Sequence, residues 1–427
     1  MKYLQVCRYI IEAETAGPLH IGSSDGDPGE VLLSPEGMPM MQASSLCGAV
    51  GAWIAAQYGA QAREDLLGSQ RKEASVIFSD AAFDEETVHF EVRPRLRIDP
   101  VSGTSASAGG SGQKFETGYL SSGSRFTFGV TAFDLEPEQI AVLEDAMAAL
   151  QSGEICLGGM KTNGCGQIRL LSVKKRLYDM KNCTDRTDWL NRIEPTSVIN
   201  LEEKKHHQLT FVLTGKMEQN LLVKSGAVPL GENVPDAVQM QDGRKRYIIP
   251  GSSLKGSVRA QCTRIANTIF DQFKADSLLT TMYGSSEGEE HHPGKVTFSE
   301  AVLENPKAQT DHRIRIDAFT GGVAYHALFS EQPVYSELTV TISIKENMVF
   351  CGLLMLALRD LMTGVYGLGS GRSIGRGFLK DCSLHVHRGD ETLVHLECED
   401  QQMQVLAGQK WLESALHALK EWKEAEV

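Results

Sequence analysis

Gly251, Ser252, Ser253, Lys255 and Arg259 fall together in IIPGSSLKGSVRA, where a Pro-Gly turn runs into a helical pattern. The first turn of a helix exposes unpaired backbone N–H groups and a partial positive charge, so it can hold phosphates. Gly251 allows close backbone approach, and Lys255 adds a point charge with Arg259 one turn further on. The two serines can cap the helix or donate to phosphate oxygens. The same phrase occurs upstream as MMQASSLCGAVGA, with Ser44 and Ser45 at the serine positions, Cys47 for the lysine and Gln42-Ala43 for Pro-Gly. An ordinary cap would not need the whole phrase twice.

A second chemical group is rich in glycine. YGLGSGRSIGRGFLK carries Gly369, Gly371 and Gly375 beside Arg372 and Arg376. LGGMKTNGCGQIRL carries Gly158, Gly159 and Gly164, with Lys161 at the Arg372 position. Such glycines can form anion-accepting nests, and arginines grip phosphates bidentately. A strand follows each loop, so neither is a Walker loop or a dinucleotide fingerprint. A tight helix-to-strand connection is the plainer alternative.

The acids come third. Asp25 and Asp27 lie in SSDGDPGEVLL, and Asp236 in ENVPDAVQM, each in the loop after a strand that opens its half. Beside bound RNA, such an Asp can help hold Mg²⁺ or orient the strand for in-line attack by a 2′-hydroxyl. An Asp next to Gly or Pro is also an ordinary turn residue, and Asp99 and Asp317 read that way. His20 has Leu222 at its place in the second half, which argues against a shared catalytic base. The doublets His206-His207 and His291-His292 read as weak, solvated features.

These groups need a scaffold, and the sequence writes it twice. DLLGSQRKEASVIFSDAAF pairs with TTMYGSSEGEEHHPGKVTFSEAVL, and RPRLRIDPVSG with DHRIRIDAFTG. Four phrases keep their order at offsets of 208 to 218 residues, which means duplicated domains, not a solenoid. Each unit opens on an alternating strand, KYLQVCRYIIEAE or HQLTFVLTGKME, and continues with the helix after the serines. Strands such as ASVIFSD, KVTFSEA, SRFTFGVTAF and ELTVTISI follow. A second helix precedes each glycine loop, and GQIRLLSVKKRL or RGFLKDCSLHVH closes the unit. This β-α-β-β-α-β order predicts an α+β, ferredoxin-like fold, also used by RNA-recognition domains. The expected division is 1–175, a linker 176–206, 207–390, and an extension 391–427. That extension holds an amphipathic helix with Trp411, Leu412, Leu416 and Leu419 on one stripe, which can pack on its own domain or dock a neighbour.

Bulk properties narrow the class. The 427 residues are 41% hydrophobic and 23% charged, an ordinary globular composition. No apolar run approaches a membrane span of about 18 residues, and the charged opening MKYLQVCRYIIEAET reads as a strand, not a signal peptide. Nine scattered cysteines without a CxxC pair suit reduced thiols in a cytoplasm and argue against zinc. A net charge of −13 excludes a free-standing, non-specific nucleic-acid binder but leaves room for a local basic groove.

Together the phrases resemble the RAMP superfamily of CRISPR systems, and within it the backbone subunits of type III effector complexes. YIIPGSSLKGSVR, LGSGRSIGRGFL, YGSS…KVTFSEA and RIRIDAFTGGVA carry the resemblance, over roughly 3–175 and 207–388. Two such domains in one chain look like the tandem backbone proteins of type III-D-like systems. The resemblance implies that the serine–lysine helix start and the glycine loop grip guide RNA. It implies a β-hairpin thumb, inserted in each domain, that interrupts the guide–target duplex. It also implies an Asp in the loop after the first strand that supports Mg²⁺-dependent cleavage of single-stranded target RNA. Base pairing would supply the sequence specificity. The implied partners are other RAMP proteins, small helical subunits and a large polymerase-like subunit.

Two departures stand out. The family's catalytic Asp stands two or three residues before a Val; Asp236 fits, whereas Asp27 is four and Asp25 six before Val31. Asp27 is the better candidate of the two, or the first half is inactive. With Cys47 for Lys255, the first half should also grip phosphate more weakly. The alternatives are a non-catalytic scaffold that binds guide RNA and spaces the complex, or a guide-processing endoribonuclease, which would want a His base.

Overall fold

The computed structural model describes residues 3–22, 30–96, 107–108, 111–112, 114–202, 208–225, 234–285 and 292–424. The chain divides into two compact units. The first is Met1–Val92 with Glu116–Lys161 and Cys165–Lys204; the second is Arg93–Phe115 with Thr162–Gly164 and Lys205–Val427.

In the first unit, β1 (Gln5–Thr15) alternates buried and half-buried residues, the pattern of a strand with one face on a core. Then come α1 (Ala43–Tyr58), β2 (Val76–Phe78), β3 (Ala81–Phe83), β4 (Arg125–Phe133), α2 (Pro137–Gln151) and β5 (Ile168–Asp179). The sheet runs β5-β1-β4-β3, with β2 also on β4. This 4-1-3-2 order is what a β-α-β-β-α-β chain produces when both crossovers lie on one face. Tyr9, Ile11, Phe128 and Val130 on the sheet share one buried cluster with Leu46, Val50 and Ile54 of α1 and Leu143, Met147 and Leu150 of α2. The chain expected to link the halves carries structure of its own. β5 runs to Asp179, and α3 (Cys183–Leu190) is N-capped by Asn182, whose side chain accepts from Thr184 N at 2.9 Å. Trp189 packs edge-on to Tyr178.

The second unit repeats the plan. Its elements are β6 (Gln208–Met217), β7 (Ala237–Val238), α4 (Gly251–Ile269), β8 (Val296–Phe298), β9 (Ala301–Ala308), β10 (Asp311–Ile316), β11 (Val323–Gln332), β12 (Val334–Lys345), α5 (Met348–Met362) and β13 (Leu379–Arg388). The sheet runs β13-β6-β12-β9, with β8 also on β12. The α+β expectation of two ferredoxin-like domains is therefore met. β10 and β11 form the inserted hairpin, and β7 joins β11 as a parallel edge. At the same point of the first repeat, strands Phe90–Leu96 and Lys114–Leu120 pair as a two-stranded ribbon.

The extension continues the sheet. β14 (Glu391–Glu399) and β15 (Gln402–Ala407) pair onward from β13, and α6 (Gln409–Glu424) follows. α5 is apolar on nearly every side, which demands cover on both faces. α6 supplies it: Ala415 and Leu419 are buried, and a Cβ on Gly352 would stand 2.5 Å from Ala415 O. The buried stripe is thus centred on Ala415 and Leu419, with Trp411, Leu412 and Trp422 packed beside it and Leu416 exposed at its edge.

Candidate nucleic-acid interface

The start of α4 is built without a side-chain cap. Pro250 occupies the N-cap position, so Ser252 and Ser253 fall inside the first turn and neither hydroxyl closes a cap. The first turn contains no acid. Its N–H groups and partial positive charge therefore have no carboxylate of their own element to answer them. Gly251 is required by contact: a Cβ there would stand 2.2 Å from both Asn163 O and Phe298 O. Lys255 is half-buried and donates to Thr162 Oγ1 at 2.8 Å, a residue the second unit takes in. Burial, then the neighbouring charges of Arg259 and Arg95, lower its pKa to about 8. Arg259 is exposed, with its guanidinium over the Tyr283 ring. A lysine crowded by two arginines in a half-buried place is a site waiting for negative charge.

The first unit solves the same position differently. Ser44 and Ser45 again lie inside the helix, after an N-cap Gln42 that makes no side-chain bond. Here the Ala43 N–H donates to Asp80 Oδ1 at 2.7 Å, so the chain's own carboxylate occupies the helix start. Burial raises the Cys47 thiol against an opposing effect of Arg63, and the Lys255 position itself carries no charge. The counterpart of Asp80 is Glu300, and that carboxylate is paired with the buried Arg93. Neither acid was singled out from the sequence, although the repeated doublets Ser79-Asp80 and Ser299-Glu300 marked them.

The two glycine loops have one geometry. Gly159 N donates to His20 O at 2.9 Å, and Ser370 N donates to Leu222 O at 2.8 Å. Gly166 N reaches Pro18 O, and Gly377 N reaches Asn220 O. Each loop thus straps itself to the segment after its opening strand. Gly158, Gly164, Gly369, Gly371 and Gly375 take left-handed φ, and Gly159 does not. The amides of Gly159, Gly166, Ser370 and Gly377 are thus spent on protein carbonyls. What the loops present is a one-turn 3₁₀ helix each, Lys161–Asn163 and Arg372–Ile374. Lys161 and Arg372 are exposed, and no ion pair holds them among the described residues. Arg376 departs from its expected role as a phosphate reader. It is only 2% exposed, and its Nη1 and Nη2 donate to Glu331 Oε2 at 2.7 Å and Asp311 Oδ2 at 2.8 Å. Its fork ties the loop to both strands of the β10–β11 hairpin.

Asp236 is exposed at the base of that hairpin. Its Oδ2 accepts from Ser330 N at 2.7 Å and Ser330 Oγ at 3.2 Å. The Ser330 N–H first, against an opposing desolvation, and then the Ser330 hydroxyl hold its carboxyl below the usual range, so it is ionised at neutral pH. Oδ1 has no bonded partner among the described residues. Asp25, Asp27 and Asp99 lie outside the described residues. Asp317 is the turn residue the sequence suggested, with Oδ1 accepting from Thr320 N and Phe319 N. His20 is buried, with Nδ1 bonded to Gly118 O at 2.8 Å. No cluster of three or more His, Cys, Asp or Glu able to hold a metal occurs among the described residues. An ionised Asp with one free oxygen still suits Mg²⁺, which takes one or two carboxylates and fills its shell with water and phosphate oxygens.

The sequence profile of the RAMP superfamily matches residues 12–169 and again 215–380. The chain belongs to the RAMP superfamily. No curated protein matches it. Among solved structures it is similar to a chain of the cryo-EM structure of the Type III-B Cmr-beta bound to cognate target RNA. That match has 17% identity and a TM-score of 0.34, over 40% of this chain and 61% of the other. The two profile matches coincide with the two sheets, so each unit of this RAMP protein carries its own helix start and glycine loop. No helix among the described residues is long and apolar enough to cross a membrane.

Proposed function

We propose that this RAMP protein is a tandem, type III-D-like backbone subunit of a type III CRISPR effector complex. It binds guide RNA and cleaves the complementary target RNA. The observation that carries the reading is the start of α4, an uncapped helix end beside Lys255, Arg259 and Arg95. Guide phosphates are the partner this chemistry fits. Arg372 extends the positive track in the second unit, and Lys161 supplies its counterpart in the first. The asymmetry at Asp80 and Cys47 makes the second repeat the stronger grip. Other RAMP proteins, small helical subunits and a large polymerase-like subunit would complete the assembly, in the cytoplasm.

The hairpin supports a role at the guide–target duplex. Phe319 is 99% and Tyr325 91% exposed, aromatic surface that can stack on bases. Asp236, at its base, is placed to act on a nucleotide that the hairpin displaces. In the reaction, the 2′-oxygen bonds to the adjacent phosphorus and the bond from phosphorus to the 5′-oxygen breaks. The products are a 2′,3′-cyclic phosphate and a 5′-hydroxyl. Mg²⁺ held by Asp236, and by Asp27 in the first repeat, would neutralise charge on the phosphate oxygens. Asp236 itself contributes a fixed negative charge, oriented by Ser330. A scaffold without cleavage is the second reading, favoured by the lack of any cluster of three or more metal-ligating side chains among the described residues. The buried, bonded His20 offers nothing to a guide-processing mechanism.

The test maps cuts in labelled target RNA with assembled complex and Mg²⁺, comparing wild type, Asp27→Ala and Asp236→Ala. Loss of one distinct cut per variant supports two nuclease repeats. Unchanged cuts in both would leave the scaffold reading.

A further inference from the structure

Three histidines outside the interface lie on the open face of the extended sheet. β13 and β14 place His385 directly opposite His395, and Ser383 directly opposite Glu397, with the Leu384–Leu396 pair between them. The period-2 alternation of both strands puts all four side chains on one face. The His385 and His395 rings stack at 4.1 Å between centroids. Both Nε2 atoms point at one oxygen: Ser383 Oγ is 3.2 Å from His385 Nε2 and 3.3 Å from His395 Nε2. The Glu397 carboxylate lies 3.5 Å from His395 Nε2. His387 stacks further out, at 5.8 Å from His385, and its Nδ1 is bonded to Thr392.

We propose that His385 and His395 form a cross-strand two-histidine chelate for a borderline transition-metal ion, Zn²⁺ or its Ni²⁺ and Cu²⁺ neighbours. The two Nε2 atoms face one oxygen from opposite strands, and a turn of the rings out of their stack would bring both to the roughly 2.0–2.1 Å that zinc takes from each nitrogen. Imidazole suits these metals, whereas Mg²⁺ prefers oxygen, so the site is chemically distinct from one at Asp236. Rotation of Ser383 frees the shared point, and water completes the shell. Glu397, whose carboxylate lies beside the same Nε2 of His395, offsets the cation's charge. A bound ion would clamp β13 to β14 and so hold the C-terminal extension to the domain's sheet.

The experiment titrates full-length, metal-free protein with Zn²⁺ against a chromophoric chelator at neutral pH. Wild type is compared with His385→Ala, His395→Ala, the double variant and His387→Ala, and circular dichroism confirms folding. The expected result is loss of one equivalent in each of the first three, with the double variant no worse than either single. His387→Ala retains that equivalent. For any variant that misfolds, the corresponding His→Asn replaces it. Unchanged stoichiometry in His385→Ala or His395→Ala overturns the proposal. So does a copper spectrum of the wild type that lacks two coordinated nitrogens and is indistinguishable from that of the double variant.

Discussion

Asp236 and Ser330 are bonded reciprocally, across the start of β7 and the end of the β11 hairpin strand. Asp236 Oδ2 accepts from Ser330 N at 2.7 Å, and Asp236 N donates to Ser330 Oγ at 3.3 Å. The acid is therefore positioned by the thumb, and any movement of that hairpin moves it. Its depressed pKa keeps the carboxylate charged as pH falls through the ordinary carboxylate range, so on the proposed reading the acid limb of cleavage should lie below that range. Single-turnover rates across pH check this. Asp236→Asn should lower the rate about 10²–10⁴-fold, the range typical of a positioned catalytic group. Ser330→Ala keeps the backbone N–H, the larger cause of the shift, and should cost less than about tenfold while moving the limb upward.

Lys255 makes a second pH prediction. Between about 8 and the ordinary lysine range, the unfolded chain binds a proton there that the folded chain does not. Stability without RNA should therefore rise with pH across that window. Guide binding has the opposite dependence, because phosphate favours the charged amine, so affinity falls as pH climbs through about 8. Lys255→Met should remove both trends and reduce the salt dependence of guide binding by about 0.7 in log–log slope. Melting temperatures and fluorescence anisotropy, each across pH, read the two effects.

Glycine substitutions separate conformational need from open space. At Gly369, φ is +70° and a Cβ would stand 2.7 Å from Leu222 O, so Gly369→Ala should destabilise by about 1–3 kcal/mol. Gly256 lies inside α4 with nothing within 4 Å of its would-be Cβ. Gly256→Ala should stabilise by about 0.5–1 kcal/mol through helix propensity. Urea midpoints for both variants test the contrast.

The fold was legible because the duplication supplied each strand and helix pattern twice, whereas the cover that α6 gives α5 was not, since an amphipathic stripe alone can pack at home or dock a neighbour. The site was legible only in outline. Sequence placed Ser252, Lys255 and Asp236 in the right elements, but it could not separate Arg372 from Arg376, four residues apart in one loop. That distinction depends on β10 and β11 bringing Asp311 and Glu331 to one of them. Nor could it show that Asp80, remote in sequence, fills the first helix start, since the contact exists only after β3 pairs beside α1.

Arg372 and Arg376 accordingly give the sharpest prediction. Arg376 is buried and its fork spans Glu331 and Asp311, so removing it takes away the ion-pair partner of Asp311 and leaves Glu331 only the more exposed Lys224 and Arg313. Breaking a buried pair costs about 3–5 kcal/mol, and the partial exposure of both acids places Arg376→Ala near the low end, about 3 kcal/mol. Arg376→Lys should recover little of this, because a single ammonium cannot reproduce the two-pronged contact. Arg372 is exposed, and Arg372→Ala should leave stability within about 0.5 kcal/mol. Its cost should appear instead in guide affinity, with a log–log salt slope about 0.7 shallower. Denaturation and salt-dependent binding, measured on all three variants, assign Arg376 to the hairpin and Arg372 to the RNA. Equal losses of affinity at constant stability would place both arginines on the phosphate track.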